Sequence, residues 1–362
     1  MIVSRREFAR IAAVSAAYRV TAAPQNEERP IGYCMVGLGR ISMQHFMPAT
    51  RMCKLSRVTG LVSGHRDKAE KIAAEYGVPQ RSIYSYENYD AIADNKDIDA
   101  AYIALPNSMH AEYSIRAARA GKHVLCEKPM TTSVRDAEAM IEACRTAGRK
   151  LMIAYRCQLE PINLHAIELI REGKLGKLQA IESANGFNIK PGEWRSTRAL
   201  GGGGPLMDVG IYSLNACRYL TGEEPAELRG YASVVDHDGR FQEVEESLSW
   251  SMRFPSGVVA SCDTTYGASM PGIFRVHGSR GWLQVDDAFG YQGQHLTAHI
   301  QGQPAIDEPN PARDPSHFAI EADYFSECIL KDREPKTPGE EGLRDMKLMR
   351  QIYQSAGYDF LA

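Results

Sequence analysis

The sequence predicts an α/β protein with two parts. The first is an N-terminal Rossmann domain with a doubly wound parallel sheet. The second is a C-terminal α+β domain with a large, mostly antiparallel, open-faced sheet. Three observations carry this expectation. From Ile31 to about residue 156, short apolar runs alternate with helical stretches, the pattern of parallel βαβ units. A G-x-G turn directly follows the first of those runs. After about residue 156 the segments become longer and alternate polar with apolar residues, as half-exposed antiparallel strands do.

Each element has its own justification. IGYCMV (31–36), RVTGLVS (57–63), AAYIAL (100–105), HVLCE (123–127) and LMIAY (151–155) are apolar runs of strand length, and their continuity suits a sheet buried on both faces. Between them lie helical stretches: one through about Cys53, then 66–77 closed by Gly77, 109–121 closed by Gly121, and 134–148. A helix over 159–176 leads into the second part. There 178–187, 226–235, 244–254, 257–266, 273–279 and 281–286 read as strands, and helices near 316–331 and 339–356 close the chain. The expected organisation is a Rossmann domain over 30–156, a substrate and oligomerisation domain over 157–335, and a C-terminal helix within 336–362.

Length and charge narrow the class. A chain of 362 residues is long for one domain, and two is the natural expectation. With 42 basic against 45 acidic residues and no long basic run, nothing points to nucleic acid as a partner, and no apolar run reaches membrane-spanning length. Eight dispersed cysteines form no C-x-x-C or zinc-spaced cluster, so buried thiols are expected and no metal. Residues 1–24 differ in kind. Ser4-Arg5-Arg6-Glu7-Phe8 followed by an Ala-rich segment has the shape of a twin-arginine export signal, which predicts a periplasmic protein; an ordinary N-terminal helix on a cytoplasmic protein is the alternative.

Chemistry concentrates at three places. In MVGLGRIS (35–42), Gly37 permits a tight turn and Gly39 lets the backbone approach a pyrophosphate, with Ser42 where the third glycine of the fingerprint usually stands. The second strand ends at Ser63 rather than at an acid, and Arg66 and Lys68 follow. A ribose 2′-phosphate is welcomed there, which predicts NADP, with NAD as the alternative. In CEKPM (126–130), Lys128 sits at the C-terminal edge of a parallel strand, where such sheets bind ligands, and Pro129 keeps it out of the helical region. Finally, Pro205 can start a helix over LMDVGIYSLNACRYLTG, which places Asp208, Tyr212 and Asn215 on one face directly after four glycines.

These stretches, together with LVSGHRDKAEKIAAEYGV (61–78), LPNSMHAEYSIRAARAGKHVLCEKPM (105–130), YR (155–156), WR (194–195), GGGGPLMDVGIYSLN (201–215), RYLTGEEP (218–225) and PGEEG (338–342), resemble the Gfo/Idh/MocA oxidoreductases. The likeness covers about residues 31–356 and is closest to the glucose–fructose oxidoreductase branch. Much of the family carries histidine where Tyr212 stands. The resemblance implies a catalytic trio of Lys128, Asp208 and Tyr212, with Tyr212 as acid/base on a sugar hydroxyl and the Lys128 ammonium beside it stabilising the phenolate, so that Tyr212 becomes a usable base. It implies oxidation of an aldose at C1 to a lactone, with a tightly held NADP recycled by a second sugar. It implies cofactor contacts from Gly37, Leu38, Gly39, Arg40, Ile41, Ser63, Arg66, Lys68, Leu105, Pro106, Asn107, His110, Glu127, Lys128, Arg156, Trp194 and Arg195. Tyr155 and Arg195 would join the trio around the substrate. A homodimer or homotetramer through the C-terminal sheet is implied as well. Two departures stand out: only about residues 24–30 separate the export signal from the first strand, and the segment between Phe187 and Trp194 is short. The alternatives are an aldose dehydrogenase that releases NAD(P)H, an exported NAD-dependent glycosidase, and a non-catalytic sensor.

Overall fold

The structure is a computed structural model and describes residues 29–310 and 313–361. The twin-arginine segment lies outside the described residues. Six parallel strands form the first sheet in the order β3-β2-β1-β4-β5-β6: β1 Ile31–Val36, β2 Ser56–Val62, β3 Ile83–Tyr84, β4 Ala100–Ile103, β5 His123–Glu127 and β6 Leu151–Ala154. The order reverses between β1 and β4, and ligands of doubly wound sheets bind at such a switch point. β1 is buried along its whole length, as its unbroken apolar sequence required.

Eight strands form the second sheet in the order β14-β13-β12-β11-β7-β10-β9-β8. They are β7 Leu178–Gly186, β8 Glu227–Ser233, β9 Ser247–Arg253, β10 Val259–Thr265, β11 Met270–Gly278, β12 Gly281–Asp286, β13 His295–Ile300 and β14 Ile306–Pro309. Every pairing is antiparallel except β7 with β10. Burial alternates along β9 and β10, so one face packs on the helices and the other is open. β3, β13 and β14 were not foreseen. β3 has two residues, and Pro309 ends β14.

The last two helices connect the parts. Ser316–Leu330 falls within the range expected for the substrate domain, yet Phe318, Ala322 and Phe325 pack with Tyr33, Phe46 and Leu61 of the Rossmann core. Asp323 on the same helix accepts from the backbone of Lys54 and Leu55 and from Ser56 Oγ. The helix Gly339–Ser355 packs against Val134–Thr146, β6 and β8, and so touches both sheets. Among the described residues no helix is long and apolar enough to cross a membrane, and no group of three His, Cys, Asp or Glu could hold a metal ion. All eight cysteines are free thiols, and all but Cys53 are buried.

Candidate active site

The dinucleotide end begins at the turn after β1. Gly37 has φ +94°, and a Cβ there would lie 2.5 Å from the Ala104 carbonyl oxygen, so only glycine fits. A Cβ on Gly39 would meet nothing within 4 Å, which leaves its backbone open to an incoming phosphate. Ser42 replaces the third glycine and donates to the Gly37 carbonyl at 2.6 Å, bracing the turn. Lys68 Nζ reaches back to the Leu38 carbonyl at 2.6 Å. Arg40 is exposed and makes no hydrogen bond or ion pair among the described residues. Ser63 is buried at the end of β2 and accepts from the His65 backbone N–H. Arg66 departs from expectation: its guanidinium donates to Glu70, Gln80 and the Ile83 carbonyl, because the i,i+4 carboxylate and the neighbouring turn hold it first. Lys68 thus touches the dinucleotide loop, and the end of β2 carries Ser63 where an acid would repel a 2′-phosphate, so the turn fits such a cofactor.

The four glycines explain themselves. A Cβ on Gly201 would strike the Arg195 carbonyl oxygen (2.8 Å), and one on Gly202 the side chain of Thr132 (2.6 Å). On Gly203 it would strike Tyr353 Oη (2.4 Å), and on Gly204 the Glu245 carbonyl oxygen (2.4 Å). Four separate segments thus close on this one stretch. Asn107 ties it to the Rossmann domain by donating to the Gly201 carbonyl at 2.9 Å. The helix that follows opens with a π-helical turn, Leu206–Gly210, continues as Ile211–Thr221, and ends at Gly222 in the left-handed region.

Lys128, Asp208 and Tyr212 come together as expected. Lys128 Nζ donates to the Asp208 backbone carbonyl at 2.5 Å and to Asp208 Oδ1 at 3.2 Å, and it lies 4.4 Å from the centroid of the Tyr212 ring. Asp208 Oδ2 faces Arg195 Nε at 3.2 Å and accepts from Tyr266 Oη at 3.0 Å. Burial alone would raise the Asp208 carboxyl, but Lys128, Arg195 and Tyr266 together hold it below the usual carboxylate range. The Tyr212 ring stacks on Phe289 at 5.5 Å, and the Arg156 guanidinium lies 5.7 Å from its centroid. Its hydroxyl makes no hydrogen bond among the described residues.

One expectation about that phenol is corrected. Burial pushes Tyr212 above the ordinary tyrosine value, and Arg156 only partly opposes the rise. The Lys128 ammonium lies over the face of the ring and spends its donors on Asp208, so it does not bond the phenolic oxygen. Tyr212 is thus a neutral proton donor at rest. Asn215 is a second correction. Beyond the wider π-helical turn it points away from the trio and donates to Glu341 and Asp345 in a buried network with Arg218.

The remaining candidates divide by position. Arg195 joins Asp208 and stacks over Trp194, 4.4 Å from its ring. Glu127 accepts from Tyr102 Oη at 2.5 Å and from the Lys128 backbone N–H, and burial raises its carboxyl while Tyr102, Lys128 and Arg156 pull it down. Arg156 is buried, donates to the Phe289 and Gly290 carbonyls, and lies over Tyr291. His110 is a strut: its ring nitrogens face the Pro129 and Leu105 carbonyls at 2.8 and 2.9 Å, so it holds the Lys128–Pro129 segment and acts on the site through it. Leu105 also lies against Gly37, and Pro106 is half-buried next to Asn107. Ile41 is half-buried at the start of the helix after the turn. Tyr155 is buried in the core, and Asp345 acts on its hydroxyl. Sequence reading missed Tyr266, Phe289 and Tyr291. Tyr266 directly follows β10, where strand periodicity marks it only as an inward residue.

Comparison with known proteins agrees with this fold. Residues 31–155 match the oxidoreductase family with an NAD-binding Rossmann fold, and residues 163–284 match the GFO/IDH/MocA C-terminal domain. The chain is 32% identical to a D-xylose 1-dehydrogenase [NADP(+)] of Haloarcula marismortui, over 91% of this chain and 92% of that protein. Among solved structures it is similar to an aldose–aldose oxidoreductase from Caulobacter crescentus complexed with glycerol. That likeness has 45% identity and a TM-score of 0.88, over 91% of this chain and 98% of the other. A 3-ketoreductase from Actinomadura kijaniata in complex with NADP and TDP-benzene follows at 27% identity and a TM-score of 0.78, over 90% and 98%.

Proposed function

Because the chain belongs to the Gfo/Idh/MocA oxidoreductase family, we propose that it is an NADP-dependent sugar oxidoreductase. It oxidises an aldose at C1 to a lactone and recycles its tightly held cofactor on a second sugar. The observation that carries this reading is the Lys128–Asp208–Tyr212 cluster at the C-terminal edge of β5. Its setting is a chain 45% identical to an aldose–aldose oxidoreductase.

Bound along the Gly37 turn, NADP supplies the hydride acceptor. The protein supplies the proton chemistry. Asp208, ionised and clamped by two cations, accepts hydrogen bonds and fixes the Lys128 ammonium beside the reacting hydroxyl. Tyr212 exchanges the proton at its Oη. Burial makes Tyr212 hold its proton more tightly, so the phenol must first release that proton to solvent; the phenolate then takes the C1 hydroxyl proton in the oxidative half and returns it to the carbonyl of the second sugar in the reductive half. Phe289 stacks on the phenol ring, and Arg156 lies between that ring and Tyr291.

Two further features belong to this proposal. The segment 1–24 would export the folded protein with its cofactor, so recycling on a second sugar replaces exchange with a soluble pool. The open face of the second sheet exposes Tyr231 (77%) with Trp282 and Val259, a surface suited to pairing with a second copy. The likeness to an NADP-dependent D-xylose dehydrogenase favours one other reading, release of NADPH after a single oxidation. Chromatographic analysis after incubation with one aldose and catalytic NADP separates the two. Recycling yields aldonate and sugar alcohol in equal amounts, whereas simple dehydrogenation yields aldonate and a stoichiometric amount of NADPH. Formation of neither product would refute both.

A further inference from the structure

Glu245 lies just before β9, in a sequence where strand alternation would leave every second side chain in water, and yet it is fully buried. No cation bonds to it among the described residues. Two of its donors come from the site-bearing stretch, the Gly204 N–H to Oε2 at 3.0 Å and the Leu206 N–H to Oε1 at 3.4 Å, and the third is Tyr353 Oη of the last helix to Oε1 at 2.8 Å. The carboxyl carbon would lie 2.8 Å from a Cβ on Gly204, and Tyr353 Oη 2.4 Å from one on Gly203. The last two glycines are therefore glycines because this carboxyl and this phenol occupy the side-chain space. Leu206 is the first residue of the turn that carries Asp208, and Tyr212 follows one turn later.

We infer that Glu245 is a positioning residue for the oxidoreduction, whose ionised carboxylate clamps the backbone that carries Asp208 and Tyr212. The inference rests on the function proposed above. Three donors converge on two oxygens, so the ionised form satisfies all of them. A protonated carboxyl presents a hydrogen of its own and must release or turn one donor. The titratable groups around it are Tyr353 on the last helix, Tyr266 after β10, and Tyr358 beyond that helix. Burial pushes the carboxyl up to about 7, against the pull of Tyr353, Gly204 and Leu206. The clamp is thus closed above neutrality and loosens as pH falls through about 7. Stability runs the other way: because the folded state binds this proton more tightly, stability attributable to the group declines as pH rises from the ordinary carboxyl value of 4.5 to about 7.

The test compares wild type, Glu245→Gln and Tyr353→Phe with NADP and an aldose between pH 5 and 9. Wild-type kcat should fall on an acidic limb near neutrality. Glu245→Gln should lose that limb and run about tenfold below wild type at pH 8, the fold-change of one charge-assisted hydrogen bond, with KM for NADP unchanged. Its melting temperature relative to wild type should rise as pH goes from 5 to 7, since the amide carries no charge to bury. Tyr353→Phe keeps the carboxylate but removes a donor, so the limb should move to higher pH; this variant decides the matter if Glu245→Gln does not fold. An unchanged limb in either variant overturns the inference while leaving the oxidoreductase reading intact. Absence of sugar oxidation in wild type refutes that reading, and the inference falls with it.

Discussion

Replacing Asp208 by asparagine keeps the shape of the trio and removes its negative charge. In the wild type, Oδ1 takes the Lys128 ammonium at 3.2 Å, and Oδ2 takes Arg195 Nε at 3.2 Å and Tyr266 Oη at 3.0 Å. Lys128 would keep the Asp208 backbone carbonyl at 2.5 Å, so it stays nearby but loses its fixed direction. A hydrogen bond to a charged group contributes about 1.5–3 kcal/mol. The side chains are between 10% and 31% exposed, so solvent screens part of that, and Arg195 more than Lys128. Taking about 2 kcal/mol for Lys128 alone gives roughly a 30-fold loss, and adding a comparable Arg195 contribution sets a ceiling near 1,000-fold. We expect kcat/KM for the aldose to drop within that range while NADP binding is retained. Because the Asp208 carboxyl is held below its ordinary range, the deficit should stay constant from about pH 5 upward. Stopped-flow absorbance of nicotinamide reduction measures it directly. An Asp208→Asn protein within threefold of wild type would refute the claim that this carboxylate organises the site.

Other consequences are independent of that one. Tyr212→Phe should lower turnover by about 10²–10⁴-fold with sugar affinity nearly unchanged, as loss of a general acid does; equal kcat in the variant would remove Tyr212 from the chemistry. Gly37→Ala should abolish NADP binding in a titration, since the turn needs φ +94° and a Cβ would lie 2.5 Å from the Ala104 carbonyl oxygen. Ser63→Asp should shift the cofactor preference toward NAD by at least tenfold, an estimate that takes about 1.4 kcal/mol for an acid repelling the 2′-phosphate. His123 is pushed down to about 4 by burial and by Arg149 and Lys150, while its Nδ1 accepts from the Lys150 backbone N–H. The unfolded chain binds that proton more readily, so stability falls as pH drops from 6.5 to about 4, and His123→Gln should flatten the melting-temperature slope in that window.

Much of the fold was legible because its signals are local. Continuous apolar strands, glycine helix ends at Gly77 and Gly222, and the G-x-G turn are all short-range features. The trio was legible for the same reason: Lys128 precedes a proline at a strand end, and Asp208 and Tyr212 share a helix. Long-range packing was not legible. Nothing near residue 318 shows that the helix Ser316–Leu330 covers the Rossmann core, since its apolar face suits either domain. Tyr155 is a site candidate by resemblance alone; it is buried with Asp345 acting on its hydroxyl, while the adjacent Arg156 lies 5.7 Å from the centroid of the Tyr212 ring. Arg66 was drawn to a phosphate by sequence and to Glu70 by geometry. Burial also decided the state of Tyr212, and a neighbouring lysine in the sequence pattern says nothing about which face of the ring it occupies.

The most direct test of the central claim is an absorbance and fluorescence scan of the purified protein with no cofactor added, taken before and after an aldose and again after a second sugar. The account predicts a bound nicotinamide that becomes reduced on the first addition and is reoxidised on the second. A protein that carries no nicotinamide, and that turns over only with stoichiometric added NADP, would contradict internal recycling and leave an ordinary sugar dehydrogenase.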